Sequence, residues 1–140
     1  MATELAFADT NLFLRYLTND VPEEADAVEA LLRRAQAGDL ALVTSSMVIA
    51  EIVWTLESFY HLSRAEVQAK VQAILNTPGL AVADAELVLQ AALWHAEKNV
   101  DFIDGYNAAW LLVRDIHEVY TFDLKHFARL EGIRALTPGK

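Results

Sequence analysis

Apolar residues follow two alternating patterns along the chain. Short apolar runs alternate with longer stretches in which apolar residues recur at every third or fourth position, as on one face of a helix. This alternation is typical of an α/β fold with a mainly parallel sheet. The short runs predict strands over residues 5–8, 40–43, 80–82, 119–122 and 133–136.

Capping residues mark the ends of the predicted helices. Pro22 suits a first helical turn, and Glu23 and Glu24 complement the positive end of the helix dipole. Ser63 and Glu66 have the spacing of a capping box. We predict helices over residues 10–17, from 22 until Gly38, from 45 or 46 to about 59, over 63–76, from 84 to about 98, from about 101 to 116, and around 127.

Length and composition narrow the class of protein. The chain has 140 residues, which predicts a single domain over residues 1–140, and 54% of them are hydrophobic, which argues against disorder. The absence of cysteine excludes disulfide scaffolds, thiolate metal sites and cysteine nucleophiles. Because the sequence shows neither a signal-peptide pattern nor an apolar run long enough to span a membrane, we expect a cytoplasmic protein.

Acidic residues outnumber basic ones. Twenty Asp and Glu residues against eleven Lys and Arg give a net charge of −9. This balance argues against a protein that holds nucleic acid on a broad basic surface. It does not argue against an enzyme whose carboxylates bind metal ions.

Glu51 is the only charged residue between Leu40 and Leu56. A helix that is apolar on nearly all sides is expected to be buried, so Glu51 is expected to be buried or to face a cleft. A buried carboxylate needs an arginine partner or a metal ion. The helix alone favours neither alternative.

Asp9 and Asp123 each follow a predicted strand, and ligands of open parallel sheets bind beyond the carboxyl ends of the strands. Asp101 and Asp104, three residues apart, share one face of the first turn of a predicted helix. Each of these acids could instead be a helix cap or a first-turn acid that complements the helix dipole.

Together these acids suggest a metal site. The four positions Asp9, Glu51, Asp104 and Asp123 fall at strand ends or near the beginnings of helices, which a right-handed βαβ arrangement brings to one edge of the sheet. Because neighbouring carboxylates repel one another unless cations neutralise them, and because no histidine has metal-ligand spacing, the oxygen ligands favour Mg²⁺ or Mn²⁺. Such sites catalyse phosphoryl transfer.

The motifs stand in the order of a known family. The chain resembles PIN-domain ribonucleases, and most closely the VapC-type toxins of bacterial toxin–antitoxin pairs. Asp9-Thr10-Asn11 resembles the opening motif of the family, and Glu51 resembles its helical second acid. The later motifs are matched by Asp101-Phe102-Ile103-Asp104 with Ala108-Ala109, by Thr121-Phe122-Asp123 and by Leu136-Thr137-Pro138. The likeness runs over residues 5–138.

The resemblance gives the acids different roles. Asp9, Glu51 and Asp104 would be the core catalytic and metal-binding acids, and Asp123 would be a more variable fourth. The supporting residues would be Asp101 at the rim, Thr10 and Asn11.

The resemblance also implies a fold, an activity and partners. The fold would be a parallel sheet of strand order 3-2-1-4-5 flanked by helices. The activity would be hydrolysis of RNA phosphodiester bonds with Mg²⁺ or Mn²⁺. The protein would be a homodimer, inhibited by a protein antitoxin whose tail occupies the groove. The large apolar residues Trp54, Phe59, Tyr60 and Trp94 also suggest a dimer.

Three basic residues could contact RNA phosphates, although solvated surface charge is the ordinary role of each. Arg15 follows Asn11 by one helical turn, and Lys125 and Arg129 follow Asp123.

Two other functions remain open at this point. One is a catalytically inactive PIN-like binding module, in which the acids serve as caps and ion pairs. The other is a phosphatase with Asp9 as a covalent nucleophile, which is weakened because residue 11 is Asn and supplies no second acid.

Overall fold

The computed structural model describes residues 4–139, and the predicted domain ends, Met1 to Thr3 and Lys140, lie outside the described residues. The chain forms two compact units, one extending to Ala85 and the other beginning at Glu86. Each unit has its own parallel sheet. The single domain expected from the length stays a prediction.

The first unit has a three-stranded sheet with β2 in the centre. β1 pairs with β2 and β2 pairs with β3, both in parallel. Leu40, Leu42 and Ala35 form a buried cluster on one side of this sheet. In chain order the elements are β1 (Glu4–Phe7), α1 (Thr10–Thr18), α2 (Pro22–Gln36), β2 (Leu40–Thr44), α3 (Ser46–Ser58), α4 (Arg64–Leu75) and β3 (Leu80–Val82).

The caps predicted from the sequence are present in this unit. Pro22 occupies the first turn of α2, and Glu23 and Glu24 follow it there. Ser45 caps α3 by accepting a hydrogen bond from the backbone N–H of Val48. At α4 the Ser63 hydroxyl accepts from the N–H of Glu66, whose carboxylate accepts from the N–H of Ser63, so the predicted capping box is confirmed.

The second unit contains three helices and a two-stranded parallel sheet. Its core is formed by Val100, Ala108, Phe127 and Leu130. The elements are α5 (Ala85–Glu97), α6 (Phe102–Leu112), β4 (Glu118–Tyr120), α7 (Leu124–Phe127) and β5 (Arg134–Leu136). The ion pair between Arg134 and Glu118, which joins the beginnings of β4 and β5, is 2.9 Å long.

Parallel strands alternating with helices confirm the predicted α/β class. The neighbours in the predicted order 3-2-1-4-5 pair as β3-β2-β1 in one sheet and as β4-β5 in a second sheet. Among residues 4–139, β1 and β4 are not paired with each other. The later elements are shorter than the apolar pattern suggested, since β4 ends at Tyr120 and α6 at Leu112. Phe122, at the predicted end of β4, is 83% exposed because it follows the last paired residue. No helix within residues 4–139 is long and apolar enough to span a membrane.

Gly79 allows α2 to approach β3 closely. Its φ is +81°, and a Cβ atom there would lie 2.4 Å from the carbonyl oxygen of Ala35. Gly38 has a similar φ of +89°, but a Cβ atom there would meet nothing within 4 Å. A side chain at Gly38 would therefore introduce backbone strain alone, whereas a side chain at Gly79 would introduce both strain and steric overlap.

We expect Gly79→Ala to lower the free energy of unfolding by about 3 kcal/mol, because strain at positive φ adds to overpacking against Ala35. Gly38→Ala is the matched control and should cost only the strain, about 1–2 kcal/mol. Chemical denaturation of both variants measures the difference. Equal losses would show that the close approach at Gly79 is not under steric constraint.

Candidate metal centre

Two of the predicted acids meet a histidine in the second unit. One carboxylate oxygen each from Asp104 and Asp123 and one ring nitrogen of His126 lie within 4.8 Å of one another. Within the described part of the chain, no other group of three or more acidic, histidine or cysteine side chains is as close. The prediction that Asp104 and Asp123 lie together is therefore supported by the geometry of this unit.

The beginning of α6 is held by buried contacts. His95 is 2% exposed, and its Nδ1 donates to the carbonyl oxygen of Val100 over 2.7 Å. Gly105 packs closely on α5, where an added Cβ atom would lie 3.4 Å from the Cα atom of Ala91. These contacts place Asp104, one residue before Gly105, at a defined position in the first helical turn.

Asp123 both caps a helix and belongs to the cluster. Its carboxylate accepts a hydrogen bond of 3.2 Å from the backbone N–H of Lys125 at the beginning of α7. Its own N–H donates to the hydroxyl of Thr121 over 3.0 Å. Asp123 therefore caps α7, as one of its two predicted roles required. Its carboxylate still has oxygen lone pairs that can bind a cation.

The surroundings of the Asp104 carboxyl disfavour its ionised form. Burial raises its pKa above the ordinary value, the charge of Asp101 raises it further, His126 lowers it and the charge of Asp123 raises it. A divalent cation between Asp104 and Asp123 would relieve this repulsion. Their carboxylate oxygens are the ligands that Mg²⁺ and Mn²⁺ prefer, so the residues present fit such an ion.

The sequence did not reveal His126 as a member of the site. It lies on α7, three residues after Asp123, and histidine spacing alone gave no metal motif. Its Nδ1 accepts a hydrogen bond of 3.0 Å from the backbone N–H of Asp101. The only feature of the sequence that could have indicated His126 was its position in the helical turn that follows Asp123.

Asp101 is the N-cap residue of α6, but its side chain makes no capping hydrogen bond. Its carboxylate is exposed, and its backbone carbonyl accepts from the N–H of Gly105 over 2.8 Å. The Asp101 carboxylate therefore does not cap the helix, which was the alternative role for this residue.

Asp9 stands at the carboxyl end of β1, as predicted. The preceding Ala8 is fixed by two hydrogen bonds of 2.8 Å, one from its N–H to the carbonyl oxygen of Val43 and one from the Thr44 hydroxyl to its own carbonyl oxygen. Asp9 itself occupies the N-cap position of α1, yet its exposed side chain makes no capping hydrogen bond. Its carboxylate is thus left for another partner.

Glu51 is exposed on α3, which excludes burial, the first of the two alternatives predicted for it, and leaves the second, a position facing a cleft, as a prediction. Ile49, Ile52 and Val53 of this helix are buried. Met47 and Trp54 lie on the same exposed stripe as Glu51, with 78% and 69% of their surface exposed. The arginine partner considered for Glu51 is absent among residues 4–139, where it forms no ion pair.

Comparison with known proteins gives the family. The model of the PIN domain matches residues 6–133. The chain belongs to the PIN domain family. Among solved structures it is similar to VapBC2 from Rickettsia felis bound to a DNA fragment from their promoter, with a TM-score of 0.39 and 14% identity over 95% of this chain and 98% of that chain. Curated proteins give no match.

The supporting residues of this PIN domain chain differ in exposure. Thr10, the first residue of α1, is buried, and the neighbouring Asn11 is exposed. A buried threonine at this point can fix the backbone beside Asp9, and Asn11 is accessible to a ligand.

The three basic residues predicted to contact RNA have different surroundings. Arg15 forms ion pairs with Glu24 at 2.8 Å and with Asp20 at 3.5 Å, so two carboxylates already offset its charge. Arg129 donates to the carbonyl oxygen of Asn99, and Lys125 is exposed on α7. Lys125 and Arg129 belong to the unit that contains Asp123.

We expect Asp104→Asn to keep or raise the melting temperature of the metal-free protein at neutral pH. Because the folded-state pKa of Asp104 is raised, ionising this residue costs stability. The cost grows as the pH rises from the ordinary carboxylate pKa to the raised one, and it persists above. The substitution removes this cost and its pH dependence. Thermal unfolding between about pH 4 and pH 7 measures both.

Added Mn²⁺ should stabilise the wild type but not Asp104→Asn. At a free ion concentration 100 times the dissociation constant the gain is about 2.7 kcal/mol, on the order of 10 °C in Tm for a domain of this size. Asp26→Asn, an exposed acid of α2, is the control and should behave as wild type. Full stabilisation of Asp104→Asn by Mn²⁺ would exclude Asp104 as a ligand.

Proposed function

We propose that this PIN domain chain is a metal-dependent endoribonuclease that hydrolyses RNA phosphodiester bonds. The observation that carries the proposal is the meeting of Asp104 and Asp123 at one point of the second unit, in a chain of this family. Two carboxylates that repel each other, one with a raised pKa, are the arrangement a divalent cation stabilises.

Asp9, Glu51, Asp104 and Asp123 together supply the catalytic and metal-binding carboxylates in this proposal. Asp9 and Glu51 are supported by their lack of another role, since neither carboxylate caps a helix or forms an ion pair among the described residues. Asp104 and Asp123 are supported by their proximity.

Asp9, Glu51, Asp104 and Asp123 would hold Mg²⁺ or Mn²⁺, and the ion would supply a water molecule of lowered pKa and positive charge to offset the charge on the phosphate and the leaving 3′ oxygen. The same carboxylates would orient the water for attack. Thr10 and Asn11 support Asp9, and Asp101 adds negative charge at the rim of the site.

RNA is held by a small number of cations. Lys125 and Arg129 follow Asp123 in the chain and are the residues we assign to phosphate contacts, with Arg15 a weaker contributor because Glu24 and Asp20 are paired with it. Two divalent ions would carry +4 and change the net charge of −9 to −5. This remaining charge disfavours tight, non-specific RNA binding. The small number of cations favours modest, salt-sensitive affinity, with selection of single-stranded loops by shape.

The biological role we propose is that of a VapC-type toxin in a type II toxin–antitoxin pair in the cytoplasm. This assignment is supported by the order of the motifs from Asp9 to Pro138. A strongly acidic toxin suits an antitoxin that brings positive charge. The exposed Trp54 and Phe59, at 69% and 70%, support a homodimer.

Substitution of the carboxylates tests the activity. We expect Asp9→Asn, Glu51→Gln, Asp104→Asn and Asp123→Asn each to lower Mn²⁺-dependent cleavage of a structured RNA, by at least about 100-fold for the first three and less for Asp123. Asp26→Asn is the matched control and should cleave normally. Cleavage that persists in the metal-stripped Asp9→Asn, Asp104→Asn double variant would exclude the mechanism.

The same measurements separate the alternatives. An inactive binding module would bind RNA and leave it intact with every divalent ion. A phosphatase with Asp9 as nucleophile would hydrolyse phosphomonoesters through an aspartyl phosphate that acid quenching and mass spectrometry detect.

Co-expression with the product of a neighbouring small gene tests the toxin role. We expect the two chains to co-purify and the complex to lose ribonuclease activity, with the inhibition relieved at high salt if the antitoxin is basic. A chain that cleaves RNA and has no such inhibitor would be a stand-alone nuclease. A monomeric mass at micromolar concentration would contradict the homodimer.

A further inference from the structure

The backbone beside His126 fixes which of its two ring nitrogens accepts a hydrogen bond. The N–H of Asp101 lies 3.0 Å from Nδ1 of His126, and a backbone N–H can only donate. Nδ1 must therefore be the acceptor and carry no proton. In the neutral ring the proton is then on Nε2.

This form leaves His126 without a lone pair for a metal ion. The lone pair of Nδ1 is used by the N–H of Asp101, and Nε2 bears the proton. A histidine ligand normally has the reverse arrangement, in which the nitrogen that does not bind the metal donates to a carbonyl or carboxylate oxygen. The oxygens of Asp104 and Asp123 would then be the atoms of this cluster that hold a metal ion.

The Nε2–H group has no acceptor among residues 4–139. The only hydrogen bond of the His126 ring in this part of the chain is the one from Asp101, and the ring forms none with Asp104 or Asp123. His126 is half-buried, and one of its ring nitrogens lies within 4.8 Å of a carboxylate oxygen of Asp104 and of Asp123. The ring therefore carries a donor without an acceptor among residues 4–139, in the cluster that contains both carboxylates.

We propose that His126 is a catalytic hydrogen-bond donor of the nuclease site, presenting Nε2–H to a non-bridging oxygen of the RNA phosphate, and that it is not a metal ligand. This role rests on the proposed ribonuclease function. The proton stays on Nε2, so the contact stabilises the charge of the phosphate without a proton transfer. The backbone of Asp101 acts as the positioning group that selects the ring form.

Two substitutions separate this role from a structural one. In His126→Gln the side-chain amide reaches the former place of Nε2 and can donate, but nothing replaces Nδ1. In His126→Asn the amide oxygen lies near the former place of Nδ1 and can accept from Asp101, but the distal donor is lost. We expect His126→Asn to lower kcat by about 100-fold and His126→Gln to retain more of it.

A purely structural role, which holds α7 to α6 through the Asp101 contact, predicts the reverse order. Higher activity in His126→Asn than in His126→Gln would therefore overturn the proposal. Circular dichroism and thermal unfolding show whether each variant folds. If one does not, the ring measurements on the wild type described next decide the question.

The ring form can be measured without activity. Selective ¹⁵N labelling of histidine gives the shifts of both ring nitrogens, which differ strongly between protonated and unprotonated nitrogen. We expect the Nε2–H form in the metal-free protein and the same form after saturation with diamagnetic Mg²⁺. A proton on Nδ1, or a change of form on adding Mg²⁺, would overturn the proposal.

Metal affinity completes the test. Calorimetric titration with Mg²⁺ should give the same dissociation constant for the wild type and His126→Asn, whereas loss of a ligand would weaken binding in the variant. If the wild type fails to cleave RNA with any divalent ion, the proposed function fails and the phosphate contact with it. If the wild type cleaves and His126→Asn cleaves equally well, only the role of His126 is overturned.

Discussion

Repulsion between carboxylates that are held close together and partly out of water is the constraint on which the site depends. Asp104 feels the loss of solvent and the charges of Asp101 and Asp123, and all three effects oppose its ionised form. A chain under no functional demand would relieve this cost by substitution or by an arginine partner, as most buried charges do. His126 offsets part of this cost, and under the proposed function a bound cation would offset the rest.

Close packing and a buried hydrogen bond hold the beginning of α6 in the second unit. Gly105 permits close packing on Ala91, and His95 fixes the turn at Val100 that precedes α6. These contacts keep Asp104 in the first turn of α6. Under the proposed function, a carboxylate held in this way would be preorganised for a metal ion.

Under the proposed function, charge also accounts for how an acidic protein would act on RNA. Carboxylates that bind metal ions contribute to the net charge of −9 only while the site has no metal. In the proposed function, the few cations that follow Asp123 in the chain would contact phosphates at close range and would not attract RNA from a distance. Such a protein would gain selectivity at the cost of affinity, and a basic partner could compete with its substrate.

The sequence by itself determined the local features of this protein. Strand and helix positions follow from the apolar pattern, and Pro22 and the Ser63–Glu66 box begin their helices as predicted, because caps depend on residues within one turn. The positions of Asp9 and Asp123 after strands were also predicted, because each residue directly follows a short apolar run in the sequence.

Only the tertiary structure decided which side of α3 is buried and which residues meet. The helix is apolar on nearly all sides, so its pattern could not show that Met47, Glu51 and Trp54 form the exposed stripe. The meeting of His126 with Asp104, and its hydrogen bond from Asp101, join α7 to the beginning of α6 across more than twenty residues of chain. No local pattern encodes such a contact, because it depends on how the two helices pack.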